Sequence, residues 1–445
     1  MKKNYILLIA VLAGLTSFGQ EIFDNSGTGD GSWTDDTNWA DGSKPVLSSD
    51  IVEVAAATSQ IDYDLTVASL DVGIAATING PSTITIDINS TETGSGNAAT
   101  SAVVFDAEGT NTFNLNANMV IDNTLTGNAY FKNQISTNKV NLGSTVDILT
   151  HLFVDNAGIF NMSGTFTQSG GNIDLRLDGT GTYNINSGFD ATALQNIKLF
   201  GSGQTLNVNA GSDGSPIFTK VITSNSASNE GGRKTYNIVI NNEDAFQLLR
   251  FQFFNYSTTN LTINENQDDF GELRIFTESY VNLTIASDKH IHMDGTAESF
   301  WKTGAQLNIT GYDFDGANPS NVKFGSSDTA LSSAQLLQIT LVGGDHAGEL
   351  VTLDENGYLI LAPTAGASYD DITNFSMYPN PVEDELFILI DEDVVSLQVL
   401  DLLGNPVQSV LLGNGNVDVS NLISGVYVLR LETINGIATS KFVKK

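Results

Sequence analysis

The feature that most restricts the fold of this chain is a short strand motif that returns along its middle. An aromatic or aliphatic residue, then Asn, an aliphatic residue and Asn or Ser occur as Phe113-Asn114-Leu115-Asn116, Phe160-Asn161-Met162-Ser163, Tyr183-Asn184-Ile185-Asn186 and Leu206-Asn207-Val208-Asn209. Weaker copies follow at Tyr236-Asn237-Ile238, Leu261-Thr262-Ile263-Asn264, Leu283-Thr284-Ile285 and Leu307-Asn308-Ile309-Thr310. Phe160, Tyr183 and Leu206 are spaced by 23 residues, and Leu261, Leu283 and Leu307 by 22 and 24. A period of about 20–25 residues holding several strand-length segments marks a β-solenoid.

The spacing has a direct physical reading. Period-2 alternation puts Phe113 and Leu115 on one face of a strand and Asn114 on the other. One such strand cannot bury its apolar face alone. Coils stacked about 4.8 Å apart join those faces into a continuous core. Gly-rich corners such as Ser169-Gly170-Gly171-Asn172 and Gly179-Thr180-Gly181 let the chain turn, and Asn residues can ladder from coil to coil. A lone copy would fit an antiparallel sandwich equally well, but eight copies near one period favour the solenoid. The expected fold is therefore all-β, a right-handed parallel β-helix from about Glu21 to Pro363, about a dozen coils and roughly 60 Å long.

A solenoid needs caps, because its end coils expose a sheet edge. Trp33 and Trp39 in Ser32-Trp33-Thr34-Asp35-Asp36-Thr37-Asn38-Trp39, then Pro45 and Asp50-Ile51-Val52-Glu53-Val54, suit a lid on the first coil. The same two rings also suit a sugar-stacking platform. This opening resembles that of bacterial autotransporter-like β-helix passengers. The segments Val322-Lys323-Phe324-Gly325-Ser326-Ser327, Leu331 to Ile339 and Leu353 to Leu359 resemble a second recurring passenger element. Within it Ser332 and Gln335 fit a capping box, which predicts a short helix. The resemblance implies caps at about 21–54 and 322–363 and surface or secreted architecture, not a substrate.

The C-terminal residues alternate independently of the repeat. Leu386, Ile388 and Ile390 open one strand, Leu397 and Val399 a second, and Val426, Val428 and Leu431 a third. Gly404, Gly413-Asn414-Gly415 and Asn435-Gly436 are the turn signals between them, so a small Ig-like β-sandwich is expected. The motifs Tyr378-Pro379-Asn380-Pro381, Leu386, Gly404, Leu422, Gly425-Val426-Tyr427 and Lys441-Phe442-Val443-Lys444 closely resemble the C-terminal sorting domain of the bacterial type IX secretion system. The departure is Asn405-Pro406 after Gly404, where a basic residue is commoner. The resemblance implies that the type IX machinery is a partner, that Tyr378, Pro379, Asn380, Pro381, Gly404, Gly425, Tyr427 and Lys441 form the sorting motif, and that a Gram-negative bacterium exports the chain through its periplasm.

At the other end, Met1-Lys2-Lys3, the apolar run Tyr5 to Leu15 and the small residues Ser17 and Gly19 have the pattern of a signal peptide cleaved before Gln20. The run is too short to span a membrane, and no later stretch qualifies. The domains expected are thus a signal peptide at 1–19, a passenger at 20–366, a linker at 367–373 and a sorting domain at 374–445.

Charge narrows the partners. A net charge of -32 with only 19 basic residues argues against nucleic acid, whose phosphates are held by clustered Lys and Arg. Zero cysteines exclude disulfides, thiol nucleophiles and thiolate metal sites. A hydrophobic fraction of 41% argues against disorder and for a large packed core.

The chemistry is sparse. His290 and His292, two apart, face the same way on a strand and are suited to share a metal, with Asp288 and Asp294 brought to that face by the same alternation. Solvent-facing polar residues on one coil are the plainer reading. Asp313-Phe314-Asp315-Gly316-Ala317-Asn318 is a partial calcium loop without its closing Glu, so no cofactor is expected and calcium is the one candidate. No nucleophile elbow or P-loop occurs. Carboxylate pairs such as Asp268-Asp269 or Glu243-Asp244 suit glycoside hydrolysis, but 51 acidic residues make such pairs common by chance. A polysaccharide lyase would need basic residues against the uronate carboxylate, and the solenoid offers Arg176, Arg233, Arg250, Arg274 and scattered lysines.

Two functions remain. One is an adhesin-like binding or structural role at the cell surface, with a glycan or matrix component as ligand. The other is a β-helix polysaccharide-degrading enzyme. An enzyme should gather acidic, basic and aromatic side chains on one face over a few adjacent coils, whereas an adhesin should carry a repetitive Asn/Thr surface. The repeats here have the second form, so the adhesin is the expected function and the enzyme the alternative.

Overall fold

The computed structural model describes residues 20–445 apart from 28, 46–50, 88–100, 123–127, 170–172, 212–217, 219, 226, 247–248, 315–319, 363–375, 391–393, 402–405, 410–415 and 434–436. The expected signal peptide, linker, Gly404, the Gly170–Asn172 corner, the end of the calcium-loop pattern and the two C-terminal Gly turns lie outside the described residues. Contacts divide the chain into two units, Met1–Ala362 and Pro363–Lys445.

The first unit is a stack of parallel strands. Among the described residues sheet 1 has eleven strands, from Gln20–Phe23 to Glu272–Ile275; sheet 2 has twelve, from Thr58–Gln60 to Ile339–Leu341; sheet 3 has five, from Leu65–Val67 to Phe166–Gln168. Twelve strands at the usual spacing of ~4.8 Å make sheet 2 roughly 50 Å long. From Ile51–Val54 to Tyr280–Ile285 each coil contributes one strand to each of sheets 1 and 2, and the alternation explains why. In Thr182–Ile185 the pattern is half-buried, buried, half-buried, buried, so one face enters the core and the other meets water.

The inward column of sheet 2 runs Phe113, Val140, Phe160, Tyr183, Leu206, Ile238, Leu261, Leu283, Ile309, Leu341, each in register with the next. Two details differ from the repeat read in the sequence. Val140-Asn141-Leu142 is a further copy between Phe113 and Phe160, hidden because Gly143 replaces the closing Asn or Ser and its spacings of 27 and 20 residues depart from 23. Tyr236 pairs with Gln204 and Leu307 with Val281, so those two copies are shifted by two residues against their neighbours. A slip of two keeps every side chain on its own face, whereas a slip of one would turn the core outward.

The outward face of sheet 2 carries an asparagine ladder. Asn141, Asn161, Asn184 and Asn207 each donate through Nδ2 to the Oδ1 of the Asn one coil before, starting at Asn114, at 2.6–2.8 Å. It breaks at the two-residue slip, where Asn237 donates instead to the carbonyl of Gln204, and resumes through Asn260, Asn282 and Asn308 at 2.9 Å. The ladder occupies mid-strand positions, not only the strand ends. Corners are tight: a Cβ on Gly201 would run into the carbonyl of Gly179, and one on Gly179, at φ +78°, into that of Asn156.

At the N-terminal end Trp33 and Trp39 are buried, with ring centroids 5.4 Å apart, and both pack on Phe23. Trp39 Nε1 donates to the Trp33 carbonyl at 3.1 Å. With 0% and 2% exposure neither ring offers a face to a sugar. At the other end the helix Ser333–Leu336 is the single α-helix among the described residues and has the Ser332/Gln335 capping box. An antiparallel pair, Val351–Leu353 with Leu359–Leu361, follows the last parallel strand.

Among its described residues the second unit holds a three-stranded and a four-stranded antiparallel sheet around Leu386, Val399, Val417, Leu429, Leu431 and Phe442.

Candidate functional site

Sheet 1 turns a different outer face to solvent. Register sets Tyr130, Phe153, Arg176, Lys198, Thr223, Gln252 and Arg274 in one column across consecutive strands. Tyr130 and Phe153 stack at 4.8 Å, and Phe200 meets Phe153 edge-on at 5.3 Å. The Arg176 guanidinium lies 4.7 Å from the Phe153 centroid and 5.4 Å from that of Phe200. Such cation–π contacts hold a cation on an apolar floor. Lys234 approaches Phe200 as well, donating to its carbonyl at 3.1 Å.

Asp174 organises this patch. Its side chain is 4% exposed and receives Lys198 Nζ at 2.8 Å and Arg176 Nη2 at 3.1 Å. Asn196 donates to the other carboxylate oxygen at 2.8 Å. Burial pushes this carboxyl up, but the hydrogen bonds from Lys198 and Asn196, with the charges of Lys198 and the contact of Arg176, hold it below the ordinary value. His151 Nδ1 accepts the Asp174 backbone N–H at 3.0 Å. Burial and then the charges of Arg176 and Lys198 lower the His151 pKa against the opposing pull of Asp174, so a neutral imidazole stands there at neutral pH. Two cations against one carboxylate leave one surplus positive charge at Asp174, and Lys234 at Phe200 adds another. Beside them lies a cleft of about 280 Å³ lined by Arg176, Lys198, Phe200, Thr223, Ser224, Asn225 and Phe254.

The sequence missed this patch because its members are about one coil apart and belong to no local motif. Tyr130, Phe153, Arg176 and Lys198 are spaced by 23, 23 and 22 residues, so the coil period applied to polar and aromatic residues would have found them.

A second cluster surrounds the histidine pair. His290 and His292 flank buried Ile291 and stack at 4.5 Å, as their spacing implies. Asp288 lies in the preceding turn at φ 61°, outside the alternation that was expected to align it. Asp294 stays on the alternating side, its carboxyl pushed up by burial and by Asp269 and Glu272. The carboxylate that meets the pair comes instead from the previous coil: Asp268 Oδ1 is 2.8 Å from His290 Nε2 and 3.1 Å from His292 Nδ1. Burial, then His290, lower the His292 pKa. Both histidines line a cleft of about 690 Å³ with Tyr312, Asn321 and Tyr358.

In the second unit, several of the residues expected to form the sorting motif are brought into contact across the fold. Asn380 Nδ2 donates to the Lys441 carbonyl at 3.1 Å, and its Oδ1 accepts the Val443 N–H at 2.8 Å. Tyr378 stacks on Phe387 at 5.5 Å. Tyr427 stacks on Phe442 at 5.7 Å and donates its hydroxyl to the Ile423 carbonyl at 2.9 Å. Gly425 pairs with Lys444 at the start of the longest hairpin described.

Residues 376–445 match the family model of the secretion system C-terminal sorting domain. No curated protein and no solved structure matches the chain. The molecule is a parallel β-solenoid joined to a type IX sorting tail, which makes it a secreted or cell-surface protein. No described helix is long and apolar enough to cross a membrane.

Proposed function

We propose that the solenoid is an adhesin-like, glycan-binding passenger displayed on or released from the outer surface of a Gram-negative bacterium, reached through the periplasm. The observation that carries this reading is the row on sheet 1 in which half-buried Tyr130, Arg176, Lys198 and Phe200 stand around Phe153, which at 6% exposure is their floor and not itself a sugar contact. Aromatic faces stack on the apolar sides of sugar rings, and fixed cations and amides take hydroxyls and carboxylates. The row repeats at the coil spacing of ~4.8 Å, close to the length of a sugar residue, so an extended chain has several contacts in line. The asparagine ladder of sheet 2 is already internally bonded and serves the solenoid itself. Weak contacts gain strength when many copies crowd one surface.

The enzyme reading keeps one supporting observation: acidic, basic and aromatic groups gather on one face around Asp174, with neutral His151 beside them. Its weakness is charge. Arg176 and Lys198 share the Asp174 carboxylate, so neither cation is wholly available to neutralise a uronate. A glycan array probed with the full chain, with release of reducing ends or unsaturated products followed on each hit, separates the two. Binding without product supports the passenger as a binder; turnover lost in His151→Ala replaces it with a lyase or hydrolase.

A further inference from the structure

We propose that Asp268, His290 and His292 bind one divalent metal ion of the zinc, nickel and copper class. Two imidazoles and one carboxylate suit borderline cations, whereas calcium and magnesium prefer oxygen donors. The three ligand atoms lie within 4.8 Å of one another. A tetrahedral ion with bonds of about 2.0–2.2 Å holds its ligand atoms roughly 3.3 Å apart. The observed separations of 2.8 and 3.1 Å from Asp268 Oδ1 to the two nitrogens open by a few tenths of an ångström, and the two rings, stacked at 24° to one another, turn out of the stack so that both in-plane lone pairs meet the ion. Asp268, with its side chain 57% exposed, is free to make that move.

The backbone beneath is fixed in advance. The Gln267 N–H donates to the His290 carbonyl at 3.0 Å and the His292 N–H to the Gln267 carbonyl at 2.7 Å, so the two coils are pinned between the ligands. The Asp268 N–H is held in turn by Asp244 Oδ1 at 2.6 Å. Lys323 is in register with His292, but its ammonium lies over the Tyr358 ring, 5.0 Å from the centroid. Three protein ligands leave a coordination position for water or for an oxygen of a bound molecule, and both histidines border the larger cleft.

The test is titration of the metal-stripped, tag-free full chain with zinc chloride by calorimetry, with copper(II) followed by paramagnetic resonance. The expected result is one ion per chain and nitrogen coupling from two imidazoles. His290→Ala and His292→Ala should each weaken binding at least tenfold, and Asp268→Asn several-fold. His151→Ala and His346→Ala should leave it unchanged. Circular dichroism matching the parent shows that a variant which fails to bind is still folded. Absence of stoichiometric binding, or binding unchanged in the His290→Ala/His292→Ala double variant, overturns the proposal and leaves the trio a hydrogen-bonded surface cluster.

Discussion

The side-chain amide of Asn184 donates a 2.7 Å hydrogen bond to the Oδ1 of Asn161, one coil before it. Asn161 passes the same bond on to Asn141 at 2.6 Å, so each rung both gives and receives. The ladder fixes which strand lies against which, and in a solenoid stability is close to a sum of such neighbour terms.

Asn161→Ala removes two rungs at once. The expected loss is about 1–2 kcal/mol, at roughly 1 kcal/mol for each net hydrogen bond. Urea denaturation should show a lower midpoint at unchanged slope. In a double-mutant cycle with Asn184→Ala the two losses should couple rather than add.

Tyr183 is fully buried, and its hydroxyl meets the Val154 carbonyl at 2.6 Å. Tyr183→Asp puts an unpaired charge into the stack and should cost several kcal/mol. Tyr183→Phe keeps the ring and should cost only about 1 kcal/mol. Thermal melts of the two variants check the order; equal losses would show that ring burial is not what counts.

Much of this was readable from the sequence, and the limit has a physical cause. Alternation and period give strand faces, so the inward column and the sorting tail follow from residues close in the chain. A solenoid brings together residues a full coil apart. Asp268 meets His290 across 22 residues, and Arg176 meets Phe153 across 23, without any local motif to announce them. Asp288 misled for the opposite reason: it is near in sequence, but the chain turns there at positive φ.

The acidic surface has its own pH signature. Asp71 pairs with Glu53 on sheet 1, and burial, then Asp106 and Glu53, push its pKa from 3.8 to about 6. A carboxyl raised on folding opposes the native state fully above about pH 6, and that opposition fades as pH falls towards 4. Asp71→Asn should therefore stabilise the protein at pH 7.5, by about 1 kcal/mol after solvent screening, and have little effect near pH 4. Melting temperatures across that range check the sign.

Export should depend on the clasp between Asn380 and the last strand. Asn380→Ala deletes its bonds to Lys441 and Val443, and removal of 422–445 deletes the strands they hold. Both variants should accumulate in the periplasm, and immunoblots of cell fractions measure it. Mass spectrometry of the exported protein should find an N-terminus near Gln20 and no peptide beyond about Phe375. A secreted form that still ends at Lys445 would contradict removal of the tail.

The most direct measurement is the affinity of the full chain for its best array glycan, compared between variants on the two outer faces. Phe200→Ala and Lys198→Ala on sheet 1 should each weaken binding at least tenfold, while Asn184→Ala on the sheet 2 ladder should leave it within about twofold. Weakening only in the sheet 2 variant, or in none of the three, would contradict a glycan site on the aromatic and cationic row.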